Sequence, residues 1–294
     1  MNPRWYNRGV QDRNESPLIL AFVSELMSQT RIETTAQSLG YQIIWIERME
    51  QIAPPDLNAP RRQLAEHLVG PGAALIEKLT VWKPALILCD LGNEQIPWRE
   101  WVALIKSVPA TRRYPLICFG SHVAADKIKI AQEAGADAVL ARSSFFSDLA
   151  NIIQKFARPI DYQALVETCQ LPLSHLALEG LELFNRGDYF EAHELLEEAW
   201  NEDETPGREL YRAILQVAVA YLQVERGNYS GVLKMFLRVR QWIDPLPDQC
   251  RGVDVARLRQ DAEAVRQQVL ALGRERIVEF DPGLFRPVIY SYDS

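Results

Sequence analysis

The chain has 294 residues, 48% of them hydrophobic and 24% charged, which predicts two folded domains of roughly 120–150 residues each. Its 32 lysines and arginines against 39 aspartates and glutamates leave a net charge of −7, a balance that disfavours nucleic acid as a partner. No apolar run is long enough to span a bilayer, and no hydrophobic stretch follows the first arginines. We therefore expect a cytoplasmic protein without a membrane partner.

The four cysteines are far apart in the sequence, and none forms a C-x-x-C pair. They are Cys89, Cys118, Cys169 and Cys250. Cys89 and Cys118 lie inside apolar runs, so the set is interpreted as buried thiols in a reducing compartment.

Short apolar runs alternate with helical segments from residue 17 to residue 157. The runs cover 18–23, 41–46, 85–89, 116–119 and 138–140, and the helical segments cover 25–39, 73–80, 98–106, 124–134 and 145–156. This alternation predicts a doubly wound α/β domain with a five-stranded parallel sheet. A proline-rich insertion at 49–72, with one helix at 61–68, is expected between the second and third strands.

Polar residues follow three of the predicted strands. Asp90 follows the third strand, Ser121 the fourth and Arg142 the fifth. In parallel α/β sheets the functional groups gather at the carboxyl ends of the strands, so these three residues are candidates for one site. Ser121 precedes His122 directly, and neighbouring side chains at a strand end diverge, which disfavours a serine hydrolase.

Two sequence runs make this half resemble a response-regulator receiver domain of the CheY type. The run KPALILCDL is similar to the strand that ends in the phosphoacceptor aspartate, and EAGADAVLARSSF is similar to the loop leading to the conserved lysine. The resemblance covers residues 17–157. It implies that Asp90 occupies the phosphoacceptor position, Gly120 the hydroxyl position and Arg142 the lysine position.

The departures from the receiver pattern affect the chemistry. Where a working receiver has an acidic pair that holds Mg²⁺, this chain offers Glu25 alone. Gly120 lacks the hydroxyl, Arg142 replaces the lysine and Ser143 replaces the proline after it. Because phosphoryl transfer needs a cation to neutralise charge, we expect no Mg²⁺ at Asp90 and an impaired phosphoacceptor, which makes the domain a pseudo-receiver.

The second half of the sequence is helical. A linker is expected at 158–173, followed by a domain at 174–272 with five helical segments and by a tail at 273–294 that packs back on a domain. The segments are 174–185, 189–201, 208–226, 230–243 and 253–272. The turns at 186–189 and 226–229 match each other, so two helical hairpins are expected within a five-helix bundle.

The repeat places two polar residues at predicted core positions. Leu233 and Leu237 belong to the apolar stripe of the second copy, and their counterparts in the first copy are His193 and Glu197. Neither side chain is stable in an apolar core without a partner. The sequence leaves three explanations open, which are a metal site, a structural polar network and a small-molecule pocket.

Each explanation names its own residues. A divalent zinc, manganese or iron ion would take His193 and Glu197 as ligands, since positions i and i+4 share one helix face, with Glu194 as general base. A third ligand would come from Asp188, Glu198 or His175. The network would involve Arg208, Arg212 or Gln216, and the pocket would be lined by His193, Glu194, Glu197 and Glu198.

This half also resembles the family called domain of unknown function 309. The runs that carry the resemblance are LFNRGDYFEAHELLEEAW, ILQVAVAYLQVERGNYSGVLKMFLRV and RGVDVARL, and the positions that match include Tyr189, His193, Glu194, Glu197, Trp200 and Gln216. The resemblance implies an all-helical domain, for which metal-dependent hydrolysis has been suggested.

Two functions follow as hypotheses. The first is a regulatory or interaction protein, whose receiver-like domain binds a protein partner or a second copy and is joined to a helical ligand- or partner-binding domain. The alternative is a metal-dependent hydrolase with its site around His193, Glu194 and Glu197.

Overall fold

The computed structural model describes residues 16–53 and 71–291. Within them the chain forms two compact units, with the boundary in the sequence between Ile160 and Asp161. The predicted helix at 61–68 lies outside the described residues. In the described part of the chain, no helix has both the length and the apolar character needed to cross a membrane.

The first unit is a parallel five-stranded sheet with helices between the strands. The strands are β1 (Leu18–Phe22), β2 (Gln42–Trp45), β3 (Leu86–Asp90), β4 (Leu116–Gly120) and β5 (Ala138–Ala141). The helices are α1 (Leu26–Ser38), α2 (Pro71–Trp82), α3 (Trp98–Ser107), α4 (Ala125–Glu133), α5 (Arg142–Ser147) and α6 (Leu149–Phe156). The strand order β2-β1-β3-β4-β5 is that of flavodoxin and CheY, which confirms the predicted fold class.

Strands β3 and β4 are buried along their whole length, as their continuous apolar sequences predict. Their register pairs Asp90 with Phe119, and the next pair of strands aligns Gly120 with Ala141. Asp90 and the residue after Ala141, which is Arg142, therefore reach the same edge of the sheet.

The helix predicted at 145–156 is instead two helices, α5 and α6, separated at Asp148. The backbone of Asp148 is not helical (φ −124°, ψ 21°), and its carboxylate accepts a hydrogen bond from Asn151. Asp148 is therefore the last residue before α6 and the first after α5, and the helical pattern of the sequence does not show this break.

The second unit contains six helices and a short antiparallel hairpin. The helices are α7 (Tyr162–Thr168), α8 (His175–Arg186), α9 (Tyr189–Glu202), α10 (Glu209–Glu225), α11 (Tyr229–Ile243) and α12 (Val255–Leu272), and the hairpin strands are β6 (Gln249–Cys250) and β7 (Val253–Asp254). The five predicted helices correspond to α8–α12.

Helix α7 corrects the predicted linker at 158–173. Asp161 caps its first turn by accepting a hydrogen bond from the backbone of Ala164, and Leu165 and Cys169 are buried in the helical core. Seven residues are too few to show a helical period, which is why the sequence predicts a linker at this position.

The two matching turns of the repeat have the same backbone conformation. Gly187 after α8 and Gly227 near the end of α10 both have left-handed backbones (φ +89° and +63°), which glycine adopts without strain. They separate the hairpins α8–α9 and α10–α11.

Two of the four cysteines are not free thiols. Cys169, at the end of α7, forms a disulfide with Cys250 of β6, while Cys89 and Cys118 remain free and buried. The prediction of four thiols is therefore wrong for Cys169 and Cys250, because the fold joins residues that are 81 positions apart.

The segment after α12 packs on the helical unit. The ring of Phe285 stacks on Tyr221 with 4.5 Å between centroids. Asn185 accepts a hydrogen bond from the backbone N–H of Val288 (2.7 Å) and donates one to its carbonyl (3.0 Å). Val288 is therefore buried in the core of this unit, and Phe285 packs partly buried against that core.

Candidate functional site

The first candidate site is an ion pair at the carboxyl edge of the sheet. Nη2 of Arg142 lies 2.7 Å from both carboxylate oxygens of Asp90, and the backbone N–H of Gly92 donates to Oδ1 at 2.8 Å. The side chain of Asp90 is only 3% exposed. Both oxygens of the buried carboxylate are therefore occupied by donors from the chain itself.

Arg142 also reaches the first turn after β1. Its Nη1 donates to Oγ of Ser28 at 2.8 Å and lies 3.6 Å from Glu25, while its guanidinium lies 5.3 Å from the ring centre of Phe119. The hydrogen bond from the Ser28 hydroxyl, aided by nearby backbone N–H groups and by Arg142, lowers the pKa of Glu25. One guanidinium thus contacts both Asp90 and Glu25 at this edge of the sheet.

The neighbouring strand end has little space for a further side chain. A Cβ added at Gly120 would lie 3.1 Å from Cβ of Leu91, and one added at Gly92 would lie 3.1 Å from Oδ1 of Asp90. Ser121 is exposed and lines a cavity of about 60 Å³ together with Gly120 and Lys127. The structure thus brings Asp90 and Arg142 into contact and places Ser121 beside them at the same edge.

The second candidate site is a cluster of side chains on α9. His193, Glu194 and Glu197 offer ligand atoms that lie within 4.8 Å of one another. Nδ1 of His193 is 3.0 Å from Oε1 of Glu194, and its Nε2 is 3.8 Å from Oε2 of Glu197. The expected i, i+4 pair is therefore present on one helix face.

The burial expected for this pair from the repeat is wrong. The side chain of Glu197 is 51% exposed and that of His193 is 26% exposed. Helix α9 buries one narrow stripe, whose members include Ala192, Leu196 and Ala199, whereas α11 buries two adjacent stripes. His193 and Glu197 lie next to the α9 stripe, at the edge of the core, so a sequence match between two helices did not give them equal burial.

The donor set on α9 fits a divalent ion in part. Imidazole nitrogen and carboxylate oxygen are ligands of zinc, manganese and iron, and catalytic zinc takes three protein ligands with one open position. A neutral His193 that donates from Nδ1 to Glu194 presents the lone pair of Nε2 on the side of Glu197. Carboxylates that orient a ligating imidazole in this way are typical of metal sites. In this tautomer Nε2 of His193 faces Oε2 of Glu197 at 3.8 Å.

The arginines proposed for a polar network with His193 lie instead against tryptophan rings. The guanidinium of Arg212 is 4.5 Å from the ring centre of Trp200 and 3.7 Å from that of Trp242, and Arg208 is 5.0 Å from Trp200. The recorded partners of His193 are both on its own helix.

Two other candidates from the sequence are buried. Gln216 is 3% exposed, and its side-chain oxygen has no hydrogen-bond partner within the described residues. Tyr189 packs edge-on against Phe184 and Tyr221, and burial, with a smaller effect of Glu225, raises the pKa of Tyr189 to about 12. Tyr189 lies one turn before His193 on α9, with its ring in the core of the unit.

Sequence reasoning missed the supporting groups of both units. Ser28 and the backbone N–H of Gly92 complete the Asp90 site, and only the serine, three residues after the N-cap Glu25, carries a sequence signal. In the helical unit, buried Arg251 lies 2.6 Å from both Asp203 and the hydroxyl of Tyr211. Nothing in the order of residues shows that these positions meet.

The comparisons with known proteins match the two units separately. Residues 177–235 match the family model described as "Domain of unknown function (DUF309)". A protein of Aquifex aeolicus described as uncharacterized is 28% identical over 96 residues, which form 31% of this chain and 28% of that protein. This chain therefore spans less than a third of the relative's length.

Solved receiver domains are similar to the first unit. A receiver domain of a sensor histidine kinase from Pseudomonas aeruginosa is 18% identical, with a TM-score of 0.36, and covers 48% of this chain and 97% of its own. A putative response regulator from Chloroflexus aurantiacus is 13% identical, with a TM-score of 0.37, and covers 48% of this chain and 97% of its own. The chain thus contains a segment that matches the model of the family called domain of unknown function 309, together with a unit that has the strand order of flavodoxin and CheY.

Proposed function

We propose that the protein is a regulatory or interaction protein whose receiver-like unit works without phosphorylation and is coupled to a helical ligand- or partner-binding unit. The observation that carries the proposal is the contact of Arg142 with both oxygens of Asp90 at 2.7 Å. Two arguments follow from this contact, one about the metal and one about the nucleophile.

The first argument concerns the cation. Phosphoryl transfer to a carboxylate depends on a metal ion that bridges the acceptor and the phosphoryl oxygens. Here a guanidinium lies between Asp90 and Glu25. A guanidinium offers only N–H donors and has no coordination sites at which a phosphoryl oxygen could replace another ligand. This arrangement supports a unit that neither needs nor binds Mg²⁺.

The second argument concerns the nucleophile. An attacking carboxylate oxygen must leave its hydrogen bonds to approach phosphorus. At Asp90 that step would break the contact between the buried carboxylate and Arg142, and removal of one partner from a buried ion pair is costly. The resting ion pair therefore opposes the reaction that a receiver performs.

Exposed apolar side chains at the same sheet edge support a protein partner or self-association. Leu26 and Met27, after β1, are 72% and 69% exposed, and Val123, after β4, is 79% exposed. The strands β1 and β4 flank β3, which ends in Asp90. Exposed apolar residues grouped around one edge are typical of interaction surfaces.

The experiment is phosphorylation of the full chain by acetyl phosphate in the presence of Mg²⁺, followed by intact mass spectrometry. We expect no phosphoryl adduct on the wild-type chain. An adduct that forms on the wild type and is absent from Asp90→Asn would refute the proposal.

Sedimentation of wild type and Met27→Glu at several concentrations tests self-association through the exposed edge, which the glutamate should weaken.

A second function, metal-dependent hydrolysis, is supported by the ligand atoms of His193, Glu194 and Glu197 within 4.8 Å. When bound, a divalent ion supplies a polarised water. His193 and Glu197 would hold the ion, and Glu194 would orient the imidazole or accept a proton.

Metal content of the purified chain tests this second function. Under it, we expect about one equivalent of zinc, manganese or iron that is lost in His193→Ala. The control is His122→Ala, because His122 is an exposed histidine of the first unit and is not among the candidate ligands. Equal metal in all three proteins, or none, would refute the metal site.

A further inference from the structure

The disulfide between Cys169 and Cys250 lies at the beginning of the helical unit. Helix α7 (Tyr162–Thr168) is the first helix after the boundary between the units, and Cys169 follows it directly. Its partner Cys250 lies in the β6–β7 hairpin, between α11 and α12. The bond therefore attaches the segment that enters the unit to the bundle.

We propose that Cys169 and Cys250 form a reversible redox site, and that reduction of their disulfide releases α7 from the bundle while α8–α12 stay folded. The inference does not depend on the phosphorylation-independent function proposed above. It rests on the shortness of α7, on what else holds it and on what holds the rest of the unit.

Helix α7 cannot persist alone. It has seven residues, whereas isolated helices shorter than about 12 residues are marginal in water. Its core contacts come from Leu165 and Cys169, with Tyr162 partly buried against the same core, while Val166 and Leu171 are exposed by 39% and 45%. The covalent bond is thus a large part of what keeps this helix docked.

The β6–β7 hairpin is attached to the bundle by contacts other than the disulfide. Arg251, which follows Cys250, binds Tyr211, Thr205 and Asp203 through its buried guanidinium. Toward α7 it makes one recorded hydrogen bond, from its backbone N–H to the carbonyl of Cys169 at 2.7 Å. After reduction, the guanidinium contacts would still join the hairpin to α10 and to the turn before it.

The chemical step is thiol–disulfide exchange with a small-molecule thiol such as glutathione. A glutathione thiolate attacks one protein sulfur and forms a mixed disulfide, and the other protein sulfur leaves as a thiolate. A second glutathione then resolves the mixed disulfide, so two protein thiols form and two glutathiones become one oxidised glutathione. Cys169 is 3% exposed and Cys250 fully buried, so attack requires local opening of α7.

The two remaining cysteines provide an internal reference. Cys89 and Cys118 face each other across β3 and β4, and both are fully buried. A hydrogen bond with Cys118 and burial together raise the pKa of the Cys89 thiol, which lowers its thiolate content. We therefore expect neither to react in the folded protein.

The experiment equilibrates the full chain with mixtures of reduced and oxidised glutathione, alkylates the free thiols and identifies them by mass spectrometry. Hydrogen exchange is measured in parallel on the oxidised and reduced forms. We expect Cys169 and Cys250 to become alkylated together as the mixture becomes more reducing. In the reduced form, amides of 161–173 should exchange about tenfold faster or more, while those of α10 keep their protection.

Three outcomes would overturn the proposal. The first is that no disulfide forms even in oxidised glutathione. The second is that reduction leaves exchange at 161–173 unchanged, and the third is that it removes protection from α10 as well, which would mean global unfolding. Cys169→Ser should reproduce the reduced pattern without any reductant, and Cys118→Ser serves as the control with one free thiol removed.

Discussion

Replacing Arg142 with methionine tests the energetic role of the Asp90 ion pair. Methionine keeps much of the side-chain volume but removes the guanidinium, so the carboxylate of Asp90 is left with the N–H of Gly92 as its remaining recorded donor. Breaking a fully buried ion pair costs about 3–5 kcal/mol. Because the arginine side chain is 35% exposed, water screens part of this, and we expect a loss of about 2 kcal/mol.

Hydrogen exchange at β3 and β4 is the suitable assay, since it reports on the first unit while the chain is intact. A loss of about 2 kcal/mol corresponds to roughly 30-fold faster exchange of the protected amides. Arg31→Met is the matched control. The guanidinium of Arg31 also lies on a phenylalanine ring, that of Phe146 at 4.4 Å, and its recorded hydrogen bond is an exposed one to the backbone carbonyl of the same residue.

The double variant Asp90→Leu with Arg142→Met separates the ion pair from the burial of its members. Replacing both charged groups by apolar ones is often close to neutral, so the double variant should be more stable than Arg142→Met alone. If Arg142→Met exchanges like the wild type, or if the double variant is the least stable of the set, the ion pair does not hold this edge of the sheet as we have argued.

Three further changes test other contacts. Gly92→Ala places a Cβ 3.1 Å from the Asp90 carboxylate and should lower stability by about 1 kcal/mol; unchanged exchange at β3 would show that the turn has room to adjust. Phe285→Ala removes the stack on Tyr221 and should lower the free energy of unfolding of the helical unit by about 2 kcal/mol, measured by circular dichroism; an unaltered transition would mean that the tail does not stabilise the bundle. Because burial raises the pKa of Tyr189 from 10.0 to about 12, its contribution to stability is complete below pH 10 and is lost as the pH rises toward 12. Tyr189→Phe should reduce this alkaline loss in urea titrations, and an identical loss in both proteins would contradict the assignment.

The alternation of strands and helices in the first unit could be predicted because apolar continuity and helix spacing are local properties. The contact between Asp90 and Arg142 could be expected only in part. Their positions after β3 and β5 place them at one edge, but the sequence does not show that the arginine side chain crosses β4 to bind both oxygens. That detail depends on the glycine at 92, where a Cβ would lie 3.1 Å from Oδ1 of Asp90 and 3.4 Å from Nη2 of Arg142.

The helical unit shows where local patterns fail. The repeat correctly located the turns at Gly187 and Gly227, because a left-handed glycine is recognisable from its neighbours. It did not give the burial of His193, because burial depends on which helices lie alongside. The Cys169–Cys250 contact could not be predicted for the same reason, as the sequence contains no information on distance between residues that far apart.

The Asp90–Arg142 pair also limits which changes could restore a phosphoacceptor. Loss of the arginine alone leaves a buried, unpaired carboxylate, and gain of a second acidic residue next to Glu25 alone adds negative charge around a guanidinium already bound to two carboxylates. Either single substitution is unfavourable, so a metal site at this edge would require at least two changes together. The ion pair thus couples positions 90 and 142, because neither charge can be removed alone without loss of stability.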